Sequence, residues 1–153
     1  MLTEPGAIRL THKMFTVLPD DARAVRQAVF MEEQGFKTEF DEIDAYARHL
    51  VFYDGARPVA VCRYFQTETG KASGEYHVGR IAVVRDLRGR HIGDAVLAAA
   101  EAHMRDEGAK SIVLSAQVRA SGFYVQNGYL PEGAEYFDEY CPHINMRKIL
   151  TKE

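Results

Sequence analysis

Apolar residues recur along this chain with two different periods, and the switches between them predict the order of its elements. Residues 8–17 read as a first strand. Pro19, Asp20 and Asp21 mark a helix start, where carboxylates can cap free amides, and Val25, Ala28 and Val29 follow at helical spacing. Gly35 stands where that helix should stop. Residues 36–47 lose the periodicity and turn acidic, with Glu39, Asp41, Glu42 and Asp44 close together. A charge run of this kind suits solvated surface, or a face that attracts a cationic molecule.

Leu50-Val51-Phe52-Tyr53 is a strand by composition, and Asp54-Gly55 behind it is the strongest short hairpin signal in the chain. The returning strand covers 58–65, and a loop holding Gly70 and Gly74 follows. The next strand, 75–84, ends in the near-continuous apolar run Ile81-Ala82-Val83-Val84, which suits a strand covered on both faces. Arg88-Gly89-Arg90-His91-Ile92-Gly93 then opens a helix on which Ile92, Val96, Ala99 and His103 share a face, closed by Gly108. Residues 111–117 form another buried strand, 118–126 a short helix, Asn127-Gly128 a turn, and 144–149 a last strand after an irregular stretch. The order is mixed α/β: an antiparallel set of strands, then a strand–helix–strand crossover.

Composition narrows the class. A length of 153 residues, 46% of them hydrophobic, predicts one domain over 1–153 with a core of its own and excludes disorder. A net charge of -3 argues against a protein built to grip nucleic acid. Cys62 and Cys141 form no CxxC pair, which excludes a disulfide scaffold and a cysteine zinc site and fits a reducing compartment. No apolar run reaches the roughly 20 residues of a membrane-spanning helix, and the opening MLTEPGAIRL lacks the basic start and apolar stretch of a secretory leader. The expectation is a soluble cytoplasmic protein without a membrane partner. His49, His91 and His143 show no metal-ligand spacing, so no metal is expected. Spacing also supports no Ser/His/Asp or Cys/His arrangement.

The loop after residue 84 carries the most chemistry. It follows a buried strand, holds two glycines and two arginines, and opens onto a helix N-terminus, where amides without a helical partner meet the positive end of the dipole. Gly89 and Gly93 let backbone approach a phosphate closely, and Arg88 and Arg90 add charge. Neither GK[ST] nor GxGxxG is present, which excludes a P-loop and a dinucleotide fingerprint. An ordinary strand-to-helix turn with surface arginines has the same spacing.

This run resembles the pyrophosphate-binding motif Q/R-x-x-G-x-G/A of the GNAT N-acetyltransferase superfamily, departing from it where His91 replaces glycine. Ala120-Ser121-Gly122-Phe123-Tyr124-Val125-Gln126-Asn127-Gly128-Tyr129 is similar to that family's A-x-x-F-Y-x-x-x-G-F segment. The stretch from Val25 to Gln34 is similar to the R-x-x-V-F-x-x-E-Q opening of one small-protein branch, and Pro142-His143-Ile144-Asn145-Met146 resembles that branch's ending. The resemblance covers nearly the whole chain. It implies a mixed, mostly antiparallel sheet flanked by helices and splayed at an acetyl-CoA site.

The activity so implied is direct transfer of an acetyl group from acetyl-CoA, as co-substrate, to a primary amine of a small molecule. The implied acetyl-CoA contacts are Ile81, Ala82 and Val83 on the strand, Arg88, Gly89, Arg90, His91, Ile92, Gly93 and Asp94 in the loop and helix start, and Phe123 and Asn127. A backbone amide among the strand residues would meet the thioester carbonyl as charge builds on it. Tyr124 would protonate the departing thiolate, although Phe123-Tyr124 also suits plain packing of a short helix. An alkyl amine, with a pKa of about 10, must lose a proton before attack. Glu33, Asp44, Glu75 and His77 are the candidate bases, with Glu33 preferred because it ends the first helix, and a water chain could replace all four. The acidic cluster would favour cationic amines. For this fold a homodimer is the default assembly.

Two other readings stay open. Residues 26–46 also look like the front of acyl-homoserine-lactone synthases, which share the fold, are longer and take an acyl group from a carrier protein. A non-catalytic acyl-CoA-binding sensor is the third. Neither the acceptor nor the base is named by any motif in the sequence.

Overall fold

The computed structural model describes residues 8–37 and 39–150, so most of the opening segment read for a leader lies outside the described residues. In chain order the elements are β1 (Leu10–Phe15), α1 (Asp20–Arg26) running on as a π-helical segment (Gln27–Glu33), β2 (Arg48–Asp54), β3 (Arg57–Gln66), the short α2 (Gly70–Ser73) and β4 (Glu75–Val83). Then come α3 (Ile92–Asp106), β5 (Ser111–Gln117), α4 (Ser121–Gln126), β6 (Leu130–Pro131), β7 (Tyr136–Asp138) and β8 (Cys141–Ile149). The strands are hydrogen-bonded in the order β1-β2-β3-β4-β5-β8-β6, with β7 also paired to β8. β1 runs antiparallel to β2, β5 antiparallel to β8, and β4 parallel to β5, so β4–α3–β5 is the expected crossover. Pairing of β4 with β5 stops at His77↔Val113, although β4 continues to Val83 and β5 to Gln117.

The chain divides into two compact units, Met1–Cys62 with Arg80–Val96 and Arg63–Gly79 with Leu97–Glu153. In the first, α1 lies against β2 and buries Ala22 and Val25. Leu50, Val51 and Phe52 of β2 and Val59, Ala60 and Val61 of β3 are buried in unbroken runs, as strands covered on both faces require. Gly55 makes the β2–β3 turn at φ +63°, which an L side chain adopts only at a cost. In the second unit α3 buries Leu97, Ala100 and Met104, while Ile112, Leu114 and Met146 are buried on β5 and β8. Ile92 and Val96 are buried on the expected face of α3, but the stripe continues through Leu97, Ala100 and Met104 and leaves Ala99 and His103 half-buried.

Three further expectations change. Pro19, not an aspartate, occupies the N-cap of α1 and no side chain caps that end; Asp20 and Asp21 sit in the first turn, where the dipole favours them, and Asp21 accepts from the Tyr53 hydroxyl at 2.9 Å. The stretch before 144, expected to be irregular, contains β6 and β7, each too short to carry a periodic signal. Two of the four acidic residues in the run are not solvated surface. Glu39 and Asp44 are 4% and 7% exposed, and between them lies Arg26 at 1%.

Charges leave water this completely only when each is paired and hydrogen-bonded. Arg26 Nε donates to Glu39 Oε2 at 2.9 Å, Nη1 to Asp44 Oδ1 at 2.7 Å, and Nη2 to Asp44 Oδ2 and the Glu39 carbonyl, both at 3.1 Å. Its guanidinium also lies 4.7 Å from the Phe40 ring centroid, and His49 Nε2 donates to the Asp44 carbonyl at 3.0 Å. Asp41 and Asp44 close a reciprocal capping box on the single 3₁₀ turn Glu42–Ala45. An acidic segment without hydrophobic periodicity is thus folded around one cation.

Replacing Arg26 by Met keeps the length of the side chain but takes the guanidinium away from two buried carboxylates. We expect Arg26→Met to lose roughly 3–5 kcal/mol of stability, read by urea unfolding. A loss below about 1 kcal/mol, the size of an exposed pair, would show that the cluster does not hold the segment.

Candidate active site

In the first unit, β4 ends at Val83, a 3₁₀ turn covers Arg85–Leu87, and the loop then enters α3 at Ile92. Gly89 has φ +80° and His91 φ +63°. A Cβ at Gly89 would touch nothing within 4 Å, so its backbone angle rather than crowding explains the glycine. His91, where the motif has glycine, adopts the left-handed conformation that favours glycine. Its carbonyl accepts the first helical bond, from Ala95 N at 3.3 Å, and its exposed ring meets Asp94 Oδ2 at 3.0 Å. The amides of Ile92, Gly93 and Asp94 thus lie in the first turn of α3, where amides lack partners within the helix.

The same unit brings two predicted site residues together. Arg88 donates from Nη1 and Nη2 to the two carboxylate oxygens of Glu33, with Nη2–Oε1 at 2.6 Å, and from Nε to the Val83 carbonyl at 3.0 Å. The hydrogen bonds to Glu33 raise the Arg88 guanidinium above its ordinary pKa. Beside them a cleft of about 280 Å³ is lined by Ala28, Val29, Glu32, Glu33, Val84 and Arg85.

Arg80 was not singled out by any pattern. It turns left-handed inside β4, at φ +51°, just ahead of Ile81, Ala82 and Val83. Such a conformation persists in a non-glycine residue only when its surroundings hold it. Here Nε meets Glu39 Oε2 at 2.9 Å, Nη2 meets Asp41 Oδ2 at 3.3 Å, and Nη2 also donates to the Glu39 carbonyl at 3.0 Å. The acidic run therefore serves Arg26 and Arg80, which corrects its reading as a free anionic face. Only the preceding Gly79 hints in the sequence at a break.

In the second unit, α4 carries Phe123 and Tyr124, both half-buried, their rings edge-to-face at 5.0 Å between centroids. Tyr124 also meets the buried Tyr129 edge-to-face at 6.1 Å. The Tyr129 hydroxyl donates to Glu101 Oε2 at 2.8 Å, Lys148 Nζ donates to Glu101 Oε1 at 2.9 Å, and burial chiefly drives the phenol's pKa upward. Tyr129 is thereby fixed as a neutral wall for Tyr124. Asn127 ends α4, its side-chain nitrogen donating to the Phe123 carbonyl at 2.9 Å.

The remaining candidate bases are held in different ways. Asp44 accepts from Arg26 on both oxygens. Glu75 accepts from Thr67 at 2.8 Å, Thr69 at 3.2 Å and Arg147 at 2.9 Å, and these donors, Thr67 foremost, keep its carboxyl below the usual range. The His77 ring stacks on Phe65 at 5.0 Å. Among the described residues no cluster of three or more His, Cys, Asp or Glu could hold a metal ion.

Residues 18–150 match the family model described as "Acetyltransferase (GNAT) domain". The chain is 34% identical over 131 residues to the uncharacterized N-acetyltransferase YjcF of Bacillus subtilis (strain 168), covering 84% of this chain and 90% of that protein. Its fold is similar to that of Escherichia coli ElaA, with TM-score 0.80, 23% identity, and 93% and 99% of the two chains covered. It is also similar to that of the CoA-dependent acyl-homoserine lactone synthase BjaI, determined with SAM and isopentyl-CoA, with TM-score 0.77, 15% identity, and 94% and 85% covered.

A left-handed residue at 91 favours glycine, tolerates histidine and penalises a β-branched side chain. Thermal unfolding of the parent, His91→Gly and His91→Val should therefore rank with glycine at or above histidine and valine lowest, a span of roughly 1–3 kcal/mol. A valine variant as stable as the parent would refute the loop conformation.

Proposed function

The chain belongs to the GNAT acetyltransferase family, and we propose that it transfers an acetyl group from acetyl-CoA directly to a primary amine of a small molecule. The observation that carries this reading is the loop from Gly89 to Gly93, where two left-handed residues lead into the first amides of α3. Acetyl-CoA supplies the thioester. The amides of residues 89–94 would hold its pyrophosphate, with Arg90 adding charge, and Phe123 would flank the cofactor. Among Ile81, Ala82 and Val83, a backbone amide would bind the thioester carbonyl as it gains charge, its direction set by the turn at Arg80. The Tyr124 hydroxyl would donate its proton to the departing thiolate. No covalent enzyme intermediate is needed, and no metal.

The acceptor is read as a small amine, with a base still to be assigned among His77, solvent and the carboxylates discussed above. Free, buried Cys62 and Cys141 accord with a reducing, cytoplasmic setting, and a single 1–153 domain working as a homodimer accords with the family fold. Likeness in fold to BjaI is the observation favouring a second reading, acyl-homoserine-lactone-type transfer. Release of free thiol from acetyl-CoA across a panel of amino sugars, polyamines, amino acids and peptides separates the two. Turnover with any of them supports the first; no turnover on that panel, with acyl transfer to SAM from an acyl-CoA or an acylated carrier protein, supports the second.

Two variants test the roles. Gly93→Asp puts bulk and negative charge at the first turn of α3 and should abolish acetyl-CoA binding by calorimetry in a folded protein; undiminished affinity would refute the donor site. Tyr124→Phe keeps the ring and its packing on Tyr129 while deleting the donor. Its kcat should fall roughly ten- to a thousandfold, towards the lower end, with the acetyl-CoA Kd unchanged. Single-turnover rates within twofold of the parent would make Tyr124 a packing residue.

A further inference from the structure

Glu33 enters the sequence reading as a base and Arg88 as a phosphate contact, yet in the structure each side chain is the other's partner. Glu33 is the last residue of the π-helical segment, and Arg88 is the first residue of the phosphate-loop run. The fork of Arg88 faces both oxygens of Glu33, and its Nε holds the carbonyl of Val83, the last residue of β4. Three donors on one planar group therefore tie the helix end, the strand end and the loop start at a single point. With Nη1 and Nη2 on Glu33 and Nε on the Val83 carbonyl, all three nitrogens of Arg88 are engaged, which leaves neither two-nitrogen edge of the guanidinium open to a pyrophosphate. A carboxylate with both oxygens accepting from one guanidinium is likewise poorly placed to take a proton from a substrate amine. The pair lies at the surface, both side chains partly exposed, so the bond adds little to global stability; its effect is on where the loop begins.

Resting on the acetyl-CoA reading above, we propose that Glu33 is a positioning residue for the donor loop, acting through Arg88, and that neither side chain touches the reacting atoms. Glu33 fixes Arg88, Arg88 fixes the step from Val83 into the loop, and the amides beyond it then stand where a pyrophosphate needs them. The charge of the phosphates is met by those amides and by Arg90. This reverses both sequence assignments with a single contact.

The test is a double-mutant cycle of Glu33→Gln and Arg88→Gln, followed by acetyl-CoA KM, kcat against pH, and direct acetyl-CoA titration of each protein. Glutamine keeps the shape of each side chain and removes its charge. Each single variant should raise the acetyl-CoA KM about three- to thirtyfold, as expected for a broken coupled pair. In both, kcat should stay within about twofold and keep the parent's pH profile, since no proton-transfer group is lost. The double variant should be no worse than the worse single one. A large loss of kcat in Glu33→Gln with disappearance of the acid limb would make Glu33 the base and overturn the proposal. Multiplying KM effects would show two independent roles, and tighter acetyl-CoA binding in Glu33→Gln would make Arg88 a phosphate ligand that Glu33 competes for; either result also overturns it. A parent that binds no acetyl-CoA would overturn the donor reading itself, and this proposal with it, before any variant is compared.

Discussion

The buried guanidinium of Arg26 organises the first unit. At 1% exposure it would be intolerable alone, and its four hydrogen bonds to Glu39 and Asp44 are the condition for its being there at all. That requirement runs outward. Asp44 must sit beside Arg26, so the chain between them closes into one 3₁₀ turn capped by Asp41. Glu39 must sit there too, and its second partner is Arg80, whose left-handed backbone shapes β4 just before Ile81, Ala82 and Val83. One cation thus links a helix, an acidic loop and the course of a strand. An apolar side chain of equal volume could fill the space, but it could not specify which two carboxylates come together or hold a third residue through one of them.

The helix that carries Arg26 holds a second ionic tie at its far end. Glu33 follows Arg26 by roughly two turns of α-helix, a spacing that would return it to nearly the same buried face. The segment between them winds as a π-helix instead, and Glu33 emerges at a partly exposed position against Arg88 while Arg26 points inward. Wider winding is intrinsically unfavourable, and two charged contacts at different azimuths give it a reason to persist. The Arg and the Glu of the R-x-x-V-F-x-x-E-Q opening are then each held in an ion pair, the first buried and the second partly exposed.

Legibility in the sequence followed the presence of a repeating signal. The strand–loop–helix at 75–106, the Asp54-Gly55 hairpin and the strand at 111–117 were readable because period, turn chemistry and glycine position agree. The loop at 88–93 was readable as a turn into a helix, and its histidine adopts a left-handed backbone angle of the kind that favours glycine. Three things were not readable. Acidic residues at 39–44 look solvated because sequence shows no partner for them; Arg26 and Arg80 are thirteen and more residues away and belong to other elements. The left-handed turn at Arg80 arises from ion pairs rather than from local preference, so no propensity marks it. Asn127, expected near the cofactor, also donates from its side chain to the Phe123 carbonyl at the end of α4, a local contact that its turn signal did not specify.

Proton removal from the acceptor is constrained by the same ionic economy. General-base catalysis asks for a group with an accessible lone pair and a basicity near the working pH. Glu33 and Asp44 each give both oxygens to an arginine, and Glu75 gives one to two threonine hydroxyls and the other to Arg147, which holds it ionised and weakly basic. Carboxylates arranged in this way support backbone geometry, and using one as a base would dissolve the contact it makes. His77 differs from these three carboxylates in resting its ring on the aromatic face of Phe65. The contacts of these three carboxylates favour scaffolding over proton transfer, in keeping with an imidazole or water as the base in the transfer proposed above.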